Sequence, residues 1–281
     1  MKEILEVHVS ESSISLFSGI TFAQVPYWFP NIPVKDLKLD FLREYSTEKK
    51  PLIVWLCGGA WITMDRGAHI PWLINFAKNG FAVASAEYRM SNSAHFPAQL
   101  EDVKSAIRYF RKNADTYGID KDRIAVAGES AGGYLAAMAG VTSGDKSFDV
   151  GENLDQDSSV QAVVDFYGPT DFLSFPQNPQ FQNSPTPEAM LLGYNASSRR
   201  EEAEKSSALQ YASKNSPPFF IAHGTNDGIV GISQSEILHE KLERVGARSD
   251  FYPIKGAGHA TPHFYQSALQ ERITAFLKEV L

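Results

Sequence analysis

The 281 residues include one cysteine, Cys57. No internal disulfide can form, so packing alone must hold the chain, which fits a reducing compartment. No stretch reaches 18 uninterrupted apolar residues, and no transmembrane helix or membrane insertion is expected. The opening Met1-Lys2-Glu3-Ile4-Leu5-Glu6 carries charge at once and lacks the long apolar run of a signal peptide. A cytoplasmic protein is therefore the expectation. Positive charge is in short supply: 26 Lys and Arg against 33 Asp and Glu leave a net charge of −7. Binding to phosphate-rich partners needs a basic surface, which argues against nucleic acid as the main partner. Cys-x-x-Cys pairs and Gly-x-Gly-x-x-Gly loops are missing as well, so neither a metal nor a cofactor is expected.

What is present is an ordinary globular composition, 43% apolar and 21% charged, at a length common for one α/β domain. Leu37–Leu42 alternates as a half-buried strand does. Leu52–Leu56, Phe81–Ala86, Ile124–Ala127, Val160–Phe166 and Phe219–Ala222 are largely apolar runs next to Gly or Pro. That is the pattern of parallel strands covered on both faces. Asp250–Ile254 reads as an edge strand because of Pro253. Leu100, Val103, Ile107, Phe110 and Ala114 recur at helical spacing. Ser233-Gln234-Ser235-Glu236 reads as a capping box that opens a helix. Leu269, Ile273, Phe276, Leu277 and Val280 form the stripe of a last helix. The expected fold is α/β: a mostly parallel, doubly wound sheet with helices on both faces, one domain over 1–281, monomeric or homodimeric. Residues 170–215 break the rhythm with Pro176, Pro179, Pro185, Pro187 and scattered aromatics. This stretch reads either as a small lid over a site or as a surface insertion with short helices such as Arg199–Ala212.

The strongest chemical signal is Gly128-Glu129-Ser130-Ala131-Gly132-Gly133, set between the strand Ile124–Ala127 and the helical run Tyr134–Ala139. A strand, a sharp turn and a helix in that order form a nucleophile elbow, with Ser130 presented above the sheet. A serine hydroxyl needs a base and a third group to orient that base, and in this fold the order is Ser, acid, His. His259, in the loop Lys255–His259 between the last strand and helix, is the preferred base, with His263 as competitor. Asp227, in His223-Gly224-Thr225-Asn226-Asp227, is the preferred acid, and Asp171 is the alternative. Cys57-Gly58-Gly59-Ala60-Trp61 follows the strand Leu52–Leu56, where backbone N–H groups can meet a substrate carbonyl. Gly59 and Ala60, together with Ala131, are the expected oxyanion donors. Glu101 and Asp102 read as structural acids on the polar side of a first helical turn.

These motifs, with Glu87-Tyr88-Arg89, Phe96–Val103 and Gly168-Pro169-Thr170-Asp171, resemble the α/β-hydrolase superfamily. The resemblance is to carboxylesterases related to hormone-sensitive lipase and bacterial feruloyl esterases, from about Leu37 to the C-terminus. It implies the α/β-hydrolase fold and a serine esterase, with nucleophile Ser130, acid Asp227, base His259 and oxyanion donors Gly59, Ala60 and Ala131. That family usually has His where this chain has Cys57. The implied substrates are small soluble esters with short acyl or aryl-acyl groups. Phe172, Phe175, Phe181, Tyr194, Trp61 and Trp28 are candidate pocket walls. Amide or peptide hydrolysis by the same triad, as in arylformamidases or prolyl oligopeptidases, is the alternative, and a hydrolase-fold binding protein without catalysis is a further one.

Overall fold

The computed structural model describes residues 2–8, 13–28, 30–175 and 185–281. In chain order the strands are β1 (Ile14–Pro26), β2 (Val34–Glu44), β3 (Lys50–Leu56), β4 (Ala82–Ala86), β5 (Ile119–Glu129), β6 (Ala162–Phe166), β7 (Phe219–Gly224) and β8 (Ser249–Ile254). The helices are α1 (Ile70–Lys78), α2 (Ala98–Lys112), α3 (Ala114–Tyr117), α4 (Ala131–Val141), α5 (Pro187–Leu192), α6 (Arg200–Glu204), α7 (Ala208–Tyr211), α8 (Ser233–Val245) and α9 (Ser267–Val280). One eight-stranded sheet runs in the order β1-β2-β4-β3-β5-β6-β7-β8. β3 to β8 are parallel, and β2 joins β4 antiparallel with β1 outside it. This is the α/β-hydrolase fold, with β8 at the edge that Pro253 implied.

Each central strand is buried on both faces. Leu52, Val54 and Leu56 of β3 pack with α2, α4 and α8 residues such as Val103, Leu135 and Leu238. Ile53 and Trp55 pack with Leu73 and Phe76 of α1 and Ile273 of α9. The parallel strands all point one way, so their C-terminal ends, Leu56, Glu129, Phe166, Gly224 and Ile254, line one edge of the sheet. Loops leaving that edge carry ligand sites in open α/β sheets.

Several readings need correction. β1 was not anticipated because its alternation breaks at Ser18-Gly19, where the register against β2 shifts between Phe17 and Ile20. Asp40 fills that bulge, accepting from Ser18 Oγ at 2.5 Å and Gly19 N at 2.8 Å. The capping box does not form: Ile232 is the N-cap of α8 and makes no side-chain cap. Ser235 and Gln234 turn inward instead, to His223 and to the Thr170 and Asp171 amides. Asp102 is not on a polar face but 2% exposed, accepting from Arg89 N and Nε. The helical stripe ending at Ala114 is divided, since α2 stops at Lys112 and Ala114 begins α3.

The connection 142–161 has little regular structure, and α2 holds it. Lys104, fully buried, donates to the Thr142 and Asp145 carbonyls at 2.8 and 2.9 Å. Arg108 binds Asp149 and the Glu152 and Val150 carbonyls, and Arg111 those of Asp157 and Ser159. Of the described residues in 170–215, 187–192, 200–204 and 208–211 are short helices. Pro176, Pro179 and Phe181 lie outside the described residues.

Candidate active site

Ser130 lies between β5 and α4 with φ 52° and ψ −119°. A non-glycine residue held there stores on the order of 1–3 kcal/mol of strain. The turn is possible because Gly132 has no side chain: a Cβ there would run into the Leu56 carbonyl oxygen of β3. Ser130 N donates to Phe166 O at 2.8 Å, tying the elbow to the neighbouring strand.

Three side chains from three loops of one sheet edge meet here. His259 Nε2 is 2.9 Å from Ser130 Oγ, and its Nδ1 is 2.7 Å from Asp227 Oδ2. Asp227 Oδ1 accepts from the amides of Ile229 and Val230, both at 2.9 Å. Burial pushes this carboxyl upward, but the hydrogen bonds from His223 and His259 outweigh it and hold it well below the usual carboxylate range. An ionised Asp227 can only accept, so His259 carries its proton on Nδ1 and turns the Nε2 lone pair to Ser130.

His223 lies in β7, directly after the apolar run Phe219–Ala222. It is fully buried, and its Nε2 lies 2.8 Å from Val230 O and 3.3 Å from Asp227 Oδ2. Both are acceptors, so Nε2 carries a proton, and Nδ1 meets Ser235 Oγ at 2.7 Å. Asp227 thus receives imidazole N–H groups from two sides. The close spacing of His223, near the end of β7, and Asp227, in the loop that follows, was a signal that could have shown this.

The competitors sit elsewhere. His263 is bonded to Thr261 Oγ1 at 3.0 Å. Asp171 accepts from the amides of Leu173 and Ser174 within its own turn. Among the described residues, no group of three or more His, Cys, Asp or Glu is arranged to hold a metal ion.

The loop after β3 comes back to the elbow. Gly59, Ala60 and Trp61 have φ of 123°, 55° and 58°. At Gly59 a Cβ would strike the Thr63 carbonyl, so this position needs glycine. Gly58 N donates to Glu129 Oε1 at 3.1 Å, and Ile62 and Thr63 donate back to Gly59 O. Among the described residues, the N–H groups of Gly59 and Ala60 have no protein acceptor. Ala131 opens α4, so its N–H has no intrahelical acceptor either. Ala60, Ser130 and Ala131 border a cavity of about 60 Å³. Its other walls include Trp61, Phe172, Phe175 and Val230, with Thr186 and Glu188 from the N-terminus of α5. Trp28 is not a wall: it is 64% exposed on the turn between β1 and β2. Tyr194 packs against the core and under Arg199.

Cys57 is 2% exposed, and burial pushes its thiol up to about 12. The thiol stays protonated at neutral pH and is no nucleophile. Beside it, Tyr88 OH donates to Cys57 O at 2.7 Å.

A family model described as BD-FAE matches residues 39–242. The chain is 32% identical over 221 residues to esterase LipC of Mycobacterium tuberculosis, across 77% of this chain and 54% of that protein. It is 31% identical over 207 residues to the probable carboxylic ester hydrolase LipM of the same organism, across 73% and 48%. The chain spans about half the length of these curated relatives. A solved structure of a truncated carbohydrate esterase from gut microbiota superposes with a TM-score of 0.84 at 29% identity, covering 97% of this chain and 98% of that one. Esterase 2 of Thermogutta terrifontis, phosphorylated by paraoxon, gives 0.73 at 23% identity over 97% and 95%, a likeness of fold.

Proposed function

The chain belongs to the BD-FAE family of α/β hydrolases, and on that premise we propose that it is a serine carboxylesterase acting on small esters with short acyl groups. The observation that carries this reading is the unbroken hydrogen-bonded chain Ser130–His259–Asp227 beside a small, mainly apolar cavity. Ser130 Oγ attacks the ester carbonyl carbon as its proton passes to His259 Nε2. The carbonyl oxygen becomes an oxyanion facing the N–H groups of Gly59, Ala60 and Ala131. Imidazolium gives its proton to the leaving alcohol, and an acyl-enzyme remains. Water, deprotonated by the same imidazole, then releases the acid and restores Ser130.

The mainly apolar space beside Ser130, walled by Trp61, Phe172, Phe175 and Val230, favours a compact uncharged acyl group. We assign the described part of 170–215 as a lid on one domain, because Phe172, Phe175 and Glu188 close one side of the cavity. A cytoplasmic setting belongs to the same proposal, supported by a single buried thiol.

The test is kcat/KM for p-nitrophenyl esters of two to sixteen carbons, with matched anilides and methyl ferulate alongside. A maximum at two to six carbons with Ser130 labelled by a phosphonate is expected. Faster anilide turnover, or a maximum at ten carbons or more, would overturn it.

A further inference from the structure

One carboxylate beside the nucleophile has no place in the proton path, yet four chain segments converge on it. Glu129, the last residue of β5, is 8% exposed. Its Oε1 accepts from Gly58 N at 3.1 Å and meets His69 Nε2, at the N-cap of α1, at 2.8 Å. Its Oε2 accepts from Tyr167 OH at 2.6 Å and Tyr265 OH at 3.2 Å. A carboxylate has about four lone-pair sites, and here all are taken. A protonated acid would lose one of them. Burial raises this carboxyl, but the hydrogen bonds from His69 and Tyr167 outweigh it and hold it at about 2.

The donors are themselves tied to the reaction centre. Gly58 stands immediately before the loop residues assigned to the oxyanion. The ring of Tyr167 meets the imidazole of His259 edge-on, with centroids 4.7 Å apart. His69 stacks on Tyr265 at 5.0 Å. The Cys57 side chain points away from this carboxylate to a long 3.9 Å contact between its Sγ and Ser85 Oγ.

We propose that Glu129 is a positioning residue: its carboxylate, clamped by His69, Tyr167 and Tyr265, fixes the Gly58 end of the oxyanion loop and the ring that backs His259. This rests on the esterase reading. The oxyanion donors stabilise the transition state only if they are already aimed before reaction. The Gly58 bond sets the orientation of the peptide leading into them.

The experiment uses the full chain and p-nitrophenyl butyrate, with active sites counted by a serine-directed phosphonate. Alongside kcat and KM, the affinity for a trifluoromethyl ketone reports oxyanion stabilisation, and thermal unfolding reports the fold. Glu129→Met is expected to lower kcat per titrated site by about 10²-fold, the low end for a lost oxyanion donor. KM should stay within about threefold, and ketone affinity should fall in parallel with kcat/KM. Glu129→Gln keeps an oxygen for Gly58 and His69 and should recover at least tenfold. If Glu129→Met does not fold, His69→Gln and Tyr265→Phe decide. Each should cost about three- to tenfold in kcat, the worth of one hydrogen bond. The proposal is overturned if Glu129→Met, or both milder variants in its place, retain kcat within twofold. It is overturned equally if kcat falls while ketone affinity does not, or if Glu129→Gln is no better than Glu129→Met. Failure of the esterase reading would look different: the wild-type protein would neither turn over the ester nor be labelled at Ser130.

Discussion

The 2.9 Å contact between His259 and Ser130 makes both side chains testable singly. Ser130→Ala and His259→Ala should each lower kcat by about 10⁶ in protein that still folds, whereas His263→Ala should be nearly silent. Asp227→Asn should cost about 10⁴, because an amide can favour the wrong imidazole tautomer. Rates within tenfold of wild type at any of these positions would contradict the assigned roles. Cys57→Ala should keep kcat within about tenfold, and iodoacetamide at pH 8 should leave the native thiol unlabelled, because burial holds it protonated up to about 12. The hydrogen-bonded trio Ser130, His259 and Asp227 could be picked out from the chain because the elbow has a fixed local pattern and its proposed partners follow in a fixed order. Glu129 could not. It occupies a variable position of that pattern, and its donors Gly58, His69, Tyr167 and Tyr265 lie 38 to 136 residues away.

Among the elements, the central strands were legible because burial on both faces leaves an uninterrupted apolar run, as in β3. β1 was not, because its bulge at Ser18-Gly19 hides the alternation. The cap motif Ser233-x-x-Glu236 misplaces the helix start by one residue, since Ser233 is already helical and Ile232 stands at the N-cap. The 170–215 segment yields an expectation of its own. Phe172 is 5% exposed and walls the cavity, so Phe172→Ala should shift the preferred acyl chain to longer esters, read as kcat/KM across the same series. An unmoved optimum would remove this ring from the acyl wall. In α2, Lys104→Met leaves the Thr142 and Asp145 carbonyls without their donor. Each lost partner costs about 1–3 kcal/mol, and urea unfolding should show it. A stability unchanged within error would mean that water replaces the ammonium.

For the whole molecule, Asp165 sets a pH dependence. Burial pushes its carboxyl up to about 6, only partly offset by the Gly168 amide. The native state then holds this proton more tightly than the unfolded chain does, so the stability it contributes is full below about pH 4 and is lost as pH rises to 6. At about 1.4 kcal/mol per unit, the loss amounts to roughly 3 kcal/mol. Urea unfolding at pH 4.5 and 7.5 should show the decline, and Asp165→Asn should flatten it. An equal slope in both proteins would place the titration elsewhere. The order of the strands along the chain also has a temporal consequence. Ser130 and His259 are 129 residues apart, and β8, which leads to His259, docks on β7 at the sheet's margin. During synthesis the nucleophile emerges first, then the acid, and the base last of the three. A chain ending before β8 would carry Ser130 and Asp227 but not His259, and would lack the base proposed for the serine proton.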